Sequence, residues 1–485
     1  MKSFRWTSRF ALPLGFRRSV PLLMSLLMLE TLALSSVACA PDEAEDASPK
    51  RTGFQVRAID HAGPKPHNIL VIVIDTFRAD RLGRGLTPKM DAFASEATVF
   101  NRAVTTIATT MPAHASMFTG LAPNRHGVRW NGDELAGSNL TAVEILRGAG
   151  YETAAFVSKT RLLTQAGFHQ GFAILSDARG GRAPLNRSGE EITAMARDWI
   201  CGEPRKPFFA WVHYNDVHSP YELNDFAKEQ RGDYAGVLAE GATGKLLLAN
   251  RHEIASSPED VRMLKALYDG AVLGVDRQIG NLLDECPGEP VLEDTIVILT
   301  ADHGQLLGEH RDLLHGGKLW EQALRIPLII RHPSARPGLK ADERVGIADI
   351  APTLIDLAGL NIPAGLQGRS IAPAIFGEQI EERVYVSEVK REGADEEAAL
   401  GPADLAVYDG HHKVIRKAGE VKVYDIASDA EEVQPIPTSQ SQQLIQRSQV
   451  LMDAYSQADT GAVSVKREEL DPSTIDELRA LGYIE

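Results

Sequence analysis

Ionisable side chains recur in this chain directly beside runs of apolar residues. Asp75 follows ILVIVI (Ile69–Ile74), and Lys159 follows TAAFVS (Thr153–Ser158). FFAWV (Phe208–Val212) runs into HYNDVH, which carries His213, Asp216 and His218. TIVILTA (Thr295–Ala301) runs into Asp302 and His303, and HGGK, with His315 and Lys318, precedes IPLII (Ile326–Ile330). Carboxylates and imidazoles in one place suit a divalent metal ion. Lysines there suit a tetrahedral oxyanion whose charge must be neutralised. A single Asp after a strand is usually a turn or cap residue, and a single His is usually structural. The recurrence of such groups after several buried runs is what points to chemistry.

A further stretch, TTMPAHASMFTG (Thr109–Gly120), opens a small-residue helical pattern with two hydroxyls, a proline and a histidine. A helix N-terminus exposes unpaired N–H groups and a positive dipole end, which together favour an anion. Thr109 or Thr110 there suits a plain helix cap. Thr110 equally suits a hydroxyl that ligates a metal and attacks a bound phosphoryl or sulfuryl group.

The elements that must position these groups are legible. The apolar runs are rich in β-branched residues and read as strands buried on both faces, as in a parallel sheet. Helical patterns lie between them. In Pro258–Glu285, Ser257 serves as cap, Pro258 suits the first turn, and Glu259 and Asp260 suit the dipole. Met263, Leu264, Leu267, Tyr268, Ala271, Val275, Ile279 and Leu282 recur at helical spacing. Alternating strands and helices predict an α/β, doubly wound, mainly parallel sheet flanked by helices. Such sheets bind ligands at the carboxyl ends of their strands, where these polar groups fall. After about Gly377, VYVSEV, LAVYD, HHKVIRK and VKVYDI predict a small antiparallel sheet, followed by a polar connection at Asp429–Gln443 and a last helix around Ser473–Leu481.

The chain has 485 residues, 44% hydrophobic and 24% charged, with a net charge of −15. Uniform negative charge argues against a nucleic-acid partner. A basic start, an apolar run and small residues make residues 1–40 an export signal, and 41–67 a tether. SSVAC (Ser35–Cys39) resembles a bacterial lipoprotein box with Cys39 lipidated, although Ser36 stands where leucine is usual; cleavage after Ala40 and an uncleaved anchor are the alternatives. All three export the chain across the inner membrane, and the expected place is a bacterial envelope, periplasmic or anchored to the membrane through a lipid. No later run reaches the roughly 20 apolar residues of a transmembrane helix. Cys201 and Cys286 read as two isolated, mostly buried thiols; a disulfide between them does not follow from the sequence.

Six motifs in order, NILVIVIDTFRADRLG, TMPAHASMFTGLAPNRHGV, HYNDVHSPY, YDGAVLGVDRQIGNLL, TIVILTADHGQLLGEH and HGGKLWEQALRIPLIIR, resemble the sulfatase-like branch of the alkaline phosphatase superfamily. The resemblance extends from Asn68 to about Glu432 and implies a catalytic domain at 68–377 and a small-sheet subdomain with its tail at 378–485. It implies Asp75, Thr110, Asp302 and His303 as metal ligands, and Thr110, Lys159, His218 and Lys318 as catalytic residues. His114, His213, Asp216 and His315 fall among the substrate-binding residues. Three departures shape the expected chemistry. Thr110 stands where sulfatases of the usual type have the cysteine or serine that matures to formylglycine, and its β-methyl group forbids conversion to that aldehyde. His114 replaces the arginine of the maturation sequence. Thr76 replaces the second carboxylate after the first strand. With fewer oxygen ligands and an imidazole, one zinc or manganese ion is expected, calcium being the alternative. Two-metal members of the superfamily use an Asp-x-x-x-His set, which HYNDVH lacks. The implied activity is hydrolysis of a small, lipid or sugar ester of phosphate or sulfate, phosphate favoured, through a covalent Thr110 intermediate without formylglycine. An envelope phosphoryl-group transferase and a non-catalytic binding protein on this scaffold are the alternatives.

Overall fold

The computed structural model describes residues 66–159, 166–176, 186–202, 207–284, 286–287, 290–389 and 404–458. The export signal with Cys39, most of the tether and the helix expected around Ser473–Leu481 lie outside the described residues.

Eight strands form the central sheet: β1 (Asn68–Ile74), β2 (Thr98–Phe100), β3 (Glu152–Val157), β4 (Ile174–Leu175), β5 (Phe208–Tyr214), β6 (Thr295–Ala301), β7 (Leu328–Arg331) and β8 (Leu339–Ala341), in the spatial order β8-β2-β7-β6-β1-β5-β3-β4. Strand β1 sits in the middle, parallel to β5 and β6, with Ile72 opposite Val212 on one side and Leu299 on the other. All residues of β1, β5 and β6 are buried, as their unbroken apolar runs require. Their carboxyl ends therefore lie side by side, and so do Asp75, the start of HYNDVH, and Asp302.

Strand β7 corrects one expectation. It was expected among the buried runs of a parallel sheet, yet it runs antiparallel to both neighbours. A parallel partner would need a crossover that returns the chain to the other edge. Between β6 and β7 there are only two-residue strands, the 3-10 turn Glu309–Arg311 and the four-residue helix Glu321–Leu324. The chain thus stays at the carboxyl edge, which keeps His315 and Lys318 there, and β7 runs back from it.

Four helices matter for the site. Helix α1 spans Thr110–Thr119, α2 Gly189–Cys201, α3 Pro258–Leu283 and α4 Thr438–Gln457. Helix α3 is capped as its sequence predicts, Ser257 Oγ accepting from Asp260 N at 3.2 Å. Cys201, the last residue of α2, forms a disulfide with Cys286 just beyond α3, so the reading of two separate thiols is overturned. The two cysteines meet because two helices distant in sequence pack side by side, which no local pattern reveals.

The small sheet is an antiparallel meander of β9 (Tyr385–Val389), β10 (Asp404–Asp409), β11 (His412–Lys417) and β12 (Glu420–Asp425). Alternation along β10 divides its faces. Leu405 and Val407 pack with Val414, Val423 and Met452 of α4, whereas Ala406 and Tyr408 pack with Leu319, Ala323 and Leu324 of the segment that carries Lys318. Helix α4 begins within the stretch expected to be a polar connection. Its Ser- and Gln-rich sequence hides a narrow apolar stripe that tertiary packing uses.

Candidate functional site

The β1 carboxyl end turns sharply. Thr76 has φ 58°, an uncommon conformation for a β-branched residue. Tyr268 Oη of α3 donates to Thr76 O at 2.9 Å and so holds the turn. In this conformation Thr76 Oγ1 donates to Asp75 O, while its backbone N–H donates to Asp302 Oδ1 at 3.2 Å. Position 76 therefore offers the pocket an N–H, not a carboxylate.

Thr110 opens α1 and is fully buried, and neither threonine serves as an ordinary cap. Thr109 is the N-cap without a side-chain capping bond, and Asn131 Oδ1 accepts from Met111 N at 2.9 Å instead. Thr110 Oγ1 lies 3.3 Å from His303 Nε2. A carbonyl can only accept, so the 2.9 Å contact of His303 Nδ1 with Gly304 O places the proton on Nδ1. Nε2 then presents a lone pair towards Thr110, with Asp302 Oδ2 at 3.5 Å. This is the arrangement of a metal-ligating histidine, its far nitrogen tied to a carbonyl.

Asp75, Asp302 and His303 are all fully buried, and their ligand atoms lie within 4.8 Å of one another. Burial pushes both carboxyls up, Asp302 to about 7, and the proximity of Asp302 raises Asp75 further. Burial pulls Lys159 down to about 7, against the attraction of the same two carboxylates. Two buried carboxylates, an imidazole lone pair and a hydroxyl suit a divalent cation: Asp75, Thr110, Asp302 and His303 have the donor types, and Asp302 Oδ2 has no hydrogen-bond partner among the described residues.

The other predicted residues divide. His218 and His315 face each other, Nε2 to Nε2, at 3.2 Å. Their Nδ1 atoms contact Ser219 O at 2.6 Å and Ala108 O at 3.4 Å, respectively. Burial pulls both imidazoles well below 6.5, so both are neutral: His218 donates from Nδ1 to Ser219 O, and His315 Nε2 donates to His218 Nε2. His315 also packs on His303, ring centroids 4.4 Å apart. His114, one turn beyond Thr110, donates from Nδ1 to Thr110 O at 2.8 Å. His213 lies behind Asp75, Nε2 to Oδ2 at 3.8 Å. Lys318 is held by Asp312 at 2.6 Å, and Asp312 lies 4.0 Å from Arg251 in the three short helices of the Glu222–Ser257 insertion. Asp216, expected in the pocket, instead accepts from Gly189 N at 2.9 Å at the start of α2. In the sequence Tyr268 stands only as part of an apolar helix face, and nothing there assigns a role to Asn131 or Asp312, because none of the three follows a buried run.

Two family models match this chain: Sulfatase over residues 67–360, and N-sulphoglucosamine sulphohydrolase, C-terminal, over residues 308–455. The chain belongs to the sulfatase family. It is a sulfatase-family ester hydrolase, and the family is metal-dependent. An arylsulfatase of Clostridium perfringens is 24% identical over 452 residues, spanning 76% of this chain and 89% of the relative. The phosphonate monoester hydrolase of Agrobacterium radiobacter shares the fold at TM-score 0.64 and 23% identity, over 80% of this chain and 96% of that one. A protein solved in complex with its substrate D-glucosamine-2-N,6-O-disulfate shares it at TM-score 0.67 and 21% identity, over 83% of this chain and all of that one.

Proposed function

We propose that this sulfatase-family chain hydrolyses phosphate esters in preference to sulfate esters, with the Thr110 hydroxyl as nucleophile. The observation that carries the reading is the buried contact of Thr110 Oγ1 with the His303 Nε2 lone pair, beside Asp75 and Asp302. Asp75, Thr110, Asp302 and His303 would hold one divalent cation, which would lower the hydroxyl pKa and offset the carboxylate charge; the mixed imidazole and oxygen donors favour zinc or manganese.

Thr110 Oγ1 attacks the central atom, a bond to Oγ1 forms, and the bond to the leaving oxygen breaks. The Thr110 proton passes to the neutral His218–His315 pair and from it to that oxygen. Lys159 stabilises the equatorial oxygens, with Lys318 at the rim. The pair, neutral again, takes a proton from water as the water attacks and returns it to the released Thr110 oxygen. The ester preference follows from the nucleophile. A hydrated aldehyde has two hydroxyls on one carbon, one to attack and one to expel the ester, whereas Thr110 has one. Water must therefore attack the central atom directly. Both a sulfatase and a phosphonate monoester hydrolase stand among the similar proteins, so both esters belong in the assay.

The basic, apolar and small-residue run before Ala40 supports export, with Cys39 as lipid attachment point, and the change of pattern near Gly377 supports division into a catalytic domain and a small-sheet subdomain. The test is a kinetic screen of aryl sulfate, phosphate monoester, phosphate diester and phosphonate with zinc, manganese and calcium. A phosphate ester or phosphonate turned over at least about tenfold faster than the sulfate is expected, given the cost of tenfold per 1.4 kcal/mol of barrier. Faster turnover of the sulfate would overturn the preference, and full activity in Thr110→Ala would overturn the nucleophile.

A further inference from the structure

A second set of donors lies beside the first. His114 comes from α1, His213 from the carboxyl half of β5, and Asp302 from the residue after β6. All three are fully buried, and one ligand atom from each lies within 4.8 Å of the other two. The His114 and His213 ring centroids are 5.1 Å apart.

These groups are not satisfied by the protein around them. His114 Nε2, both ring nitrogens of His213 and Asp302 Oδ2 are buried without a hydrogen-bond partner among the described residues. Burying a polar atom without a partner is costly, and four such atoms in one place call for an external partner. The chemistry of the orphans says which kind. His114 Nδ1 lies 3.8 Å from Asp302 Oδ2 and spends its proton on Thr110 O, so Nε2 is the nitrogen left with only a lone pair. Asp302 Oδ2 offers only lone pairs when ionised, and its Oδ1 is already occupied by the N–H groups of Thr76 and His303. Two imidazole nitrogens and a carboxylate oxygen form a familiar donor set for zinc. Donors around a tetrahedral zinc lie about 3.3 Å apart, so an ion would draw these groups together by about an ångström through side-chain rotation.

We propose that His114, His213 and Asp302 hold a second divalent cation, with Asp302 bridging it to the cation of the Thr110 site. This rests on the one-cation reading above for its neighbour, but its own three residues carry it. Its second ligand pair differs from the Asp-x-x-x-His set sought in the sequence. Two dications and an ionised Lys159 would balance two carboxylates, a threonine alkoxide and a dianionic phosphoryl group, which deepens the phosphate preference.

The experiment is metal analysis of the intact chain equilibrated with zinc, with anomalous scattering at the zinc edge from crystals of the unmodified protein. Two zinc ions per chain are expected, one of them between His114 and His213. His213→Gln and His114→Gln are each expected to bind one, and His303→Ala to retain the one at His114 and His213. One ion per chain that survives both glutamine variants would overturn the second site and leave the Thr110 site standing. One ion lost in the glutamine variants but kept in His303→Ala would overturn the Thr110 site and the two-cation centre. One ion lost in all three variants means a single shared cation and overturns the proposal, as does no zinc at all. The scattering data need no variant, so a glutamine chain that fails to fold does not spoil the test.

Discussion

Two clusters of buried charge occupy this molecule, and they meet the cost of burial in opposite ways. Beneath the small sheet, Lys413 lies 3.0 Å from Glu321 and 2.8 Å from Glu432. Tyr408 Oη donates to Glu321 at 2.7 Å, and Glu432 accepts from the backbone N–H of Glu321 at 2.7 Å. The charges there answer one another. At the carboxyl ends of β1, β5 and β6, Asp75 and Asp302 face Lys159, but His114, His213 and Asp302 keep donor atoms with no protein partner among the described residues. A cluster that closes on itself holds two parts of the chain together. A cluster that stays open leaves polar atoms for an outside partner to complete, and it is the one that contains a buried hydroxyl at a helix start.

The largest test of this contrast is Thr110→Ala. It is expected to lower kcat by on the order of 10³-fold while leaving the melting temperature almost unchanged, whereas Thr110→Ser should keep activity within about tenfold. Steady-state kinetics beside thermal unfolding checks both. Lys413→Met should do the reverse. It leaves Glu321 and Glu432 buried without their cation, at about 3–5 kcal/mol in a denaturant titration, with little change in kcat for the molecules that remain folded.

A smaller effect separates the clusters by their response to metal. Zinc at about 100 times its dissociation constant should stabilise the protein by about 2.7 kcal/mol. Asp302→Asn keeps an acceptor for Thr76 and His303 but loses the charge, so that stabilisation should vanish while the metal-free protein melts no lower. A metal-free Asp302→Asn chain that melts far lower would show that the pocket is a structural cluster like the other.

The smallest expected effect concerns the support of α1. His126 Nδ1 accepts from Val128 N and its Nε2 donates to Ser116 Oγ on α1, at 3.0 Å each. Burial, with Arg129 nearby, lowers its pKa from 6.5 to about 3. Between those values the unfolded chain binds a proton that the folded chain refuses. Stability is therefore complete above pH 6.5 and falls as the pH drops, by up to about 1.4 kcal/mol per unit from this group. His126→Gln should flatten that slope in unfolding free energies measured from pH 7 to 5.

Much of the scaffold is legible in local pattern. Unbroken apolar runs mark β1, β5 and β6 as buried on both faces, and Ser257-Pro258 marks the start of α3. The polar residue after each run already indicates which edge of the sheet gathers ionisable groups, and the position of Thr110 before a small-residue helix already indicates a hydroxyl at a helix N-terminus. These depend on spacing along a few residues, which the sequence alone determines.

What the tertiary structure decided depends on which distant segments meet. Asp216 and Asp302 both follow buried runs, yet one meets the start of α2 and the other the pocket. His114 and His213 look like substrate contacts from their motifs, and only the packing of α1 over β5 brings their rings together. The Cys201–Cys286 bond, the reversed β7 and the docking of α4 arise in the same way. Helix and strand periodicities report which face of an element is buried, but the partner that covers it is set by chain topology and packing, and those are properties of the whole fold.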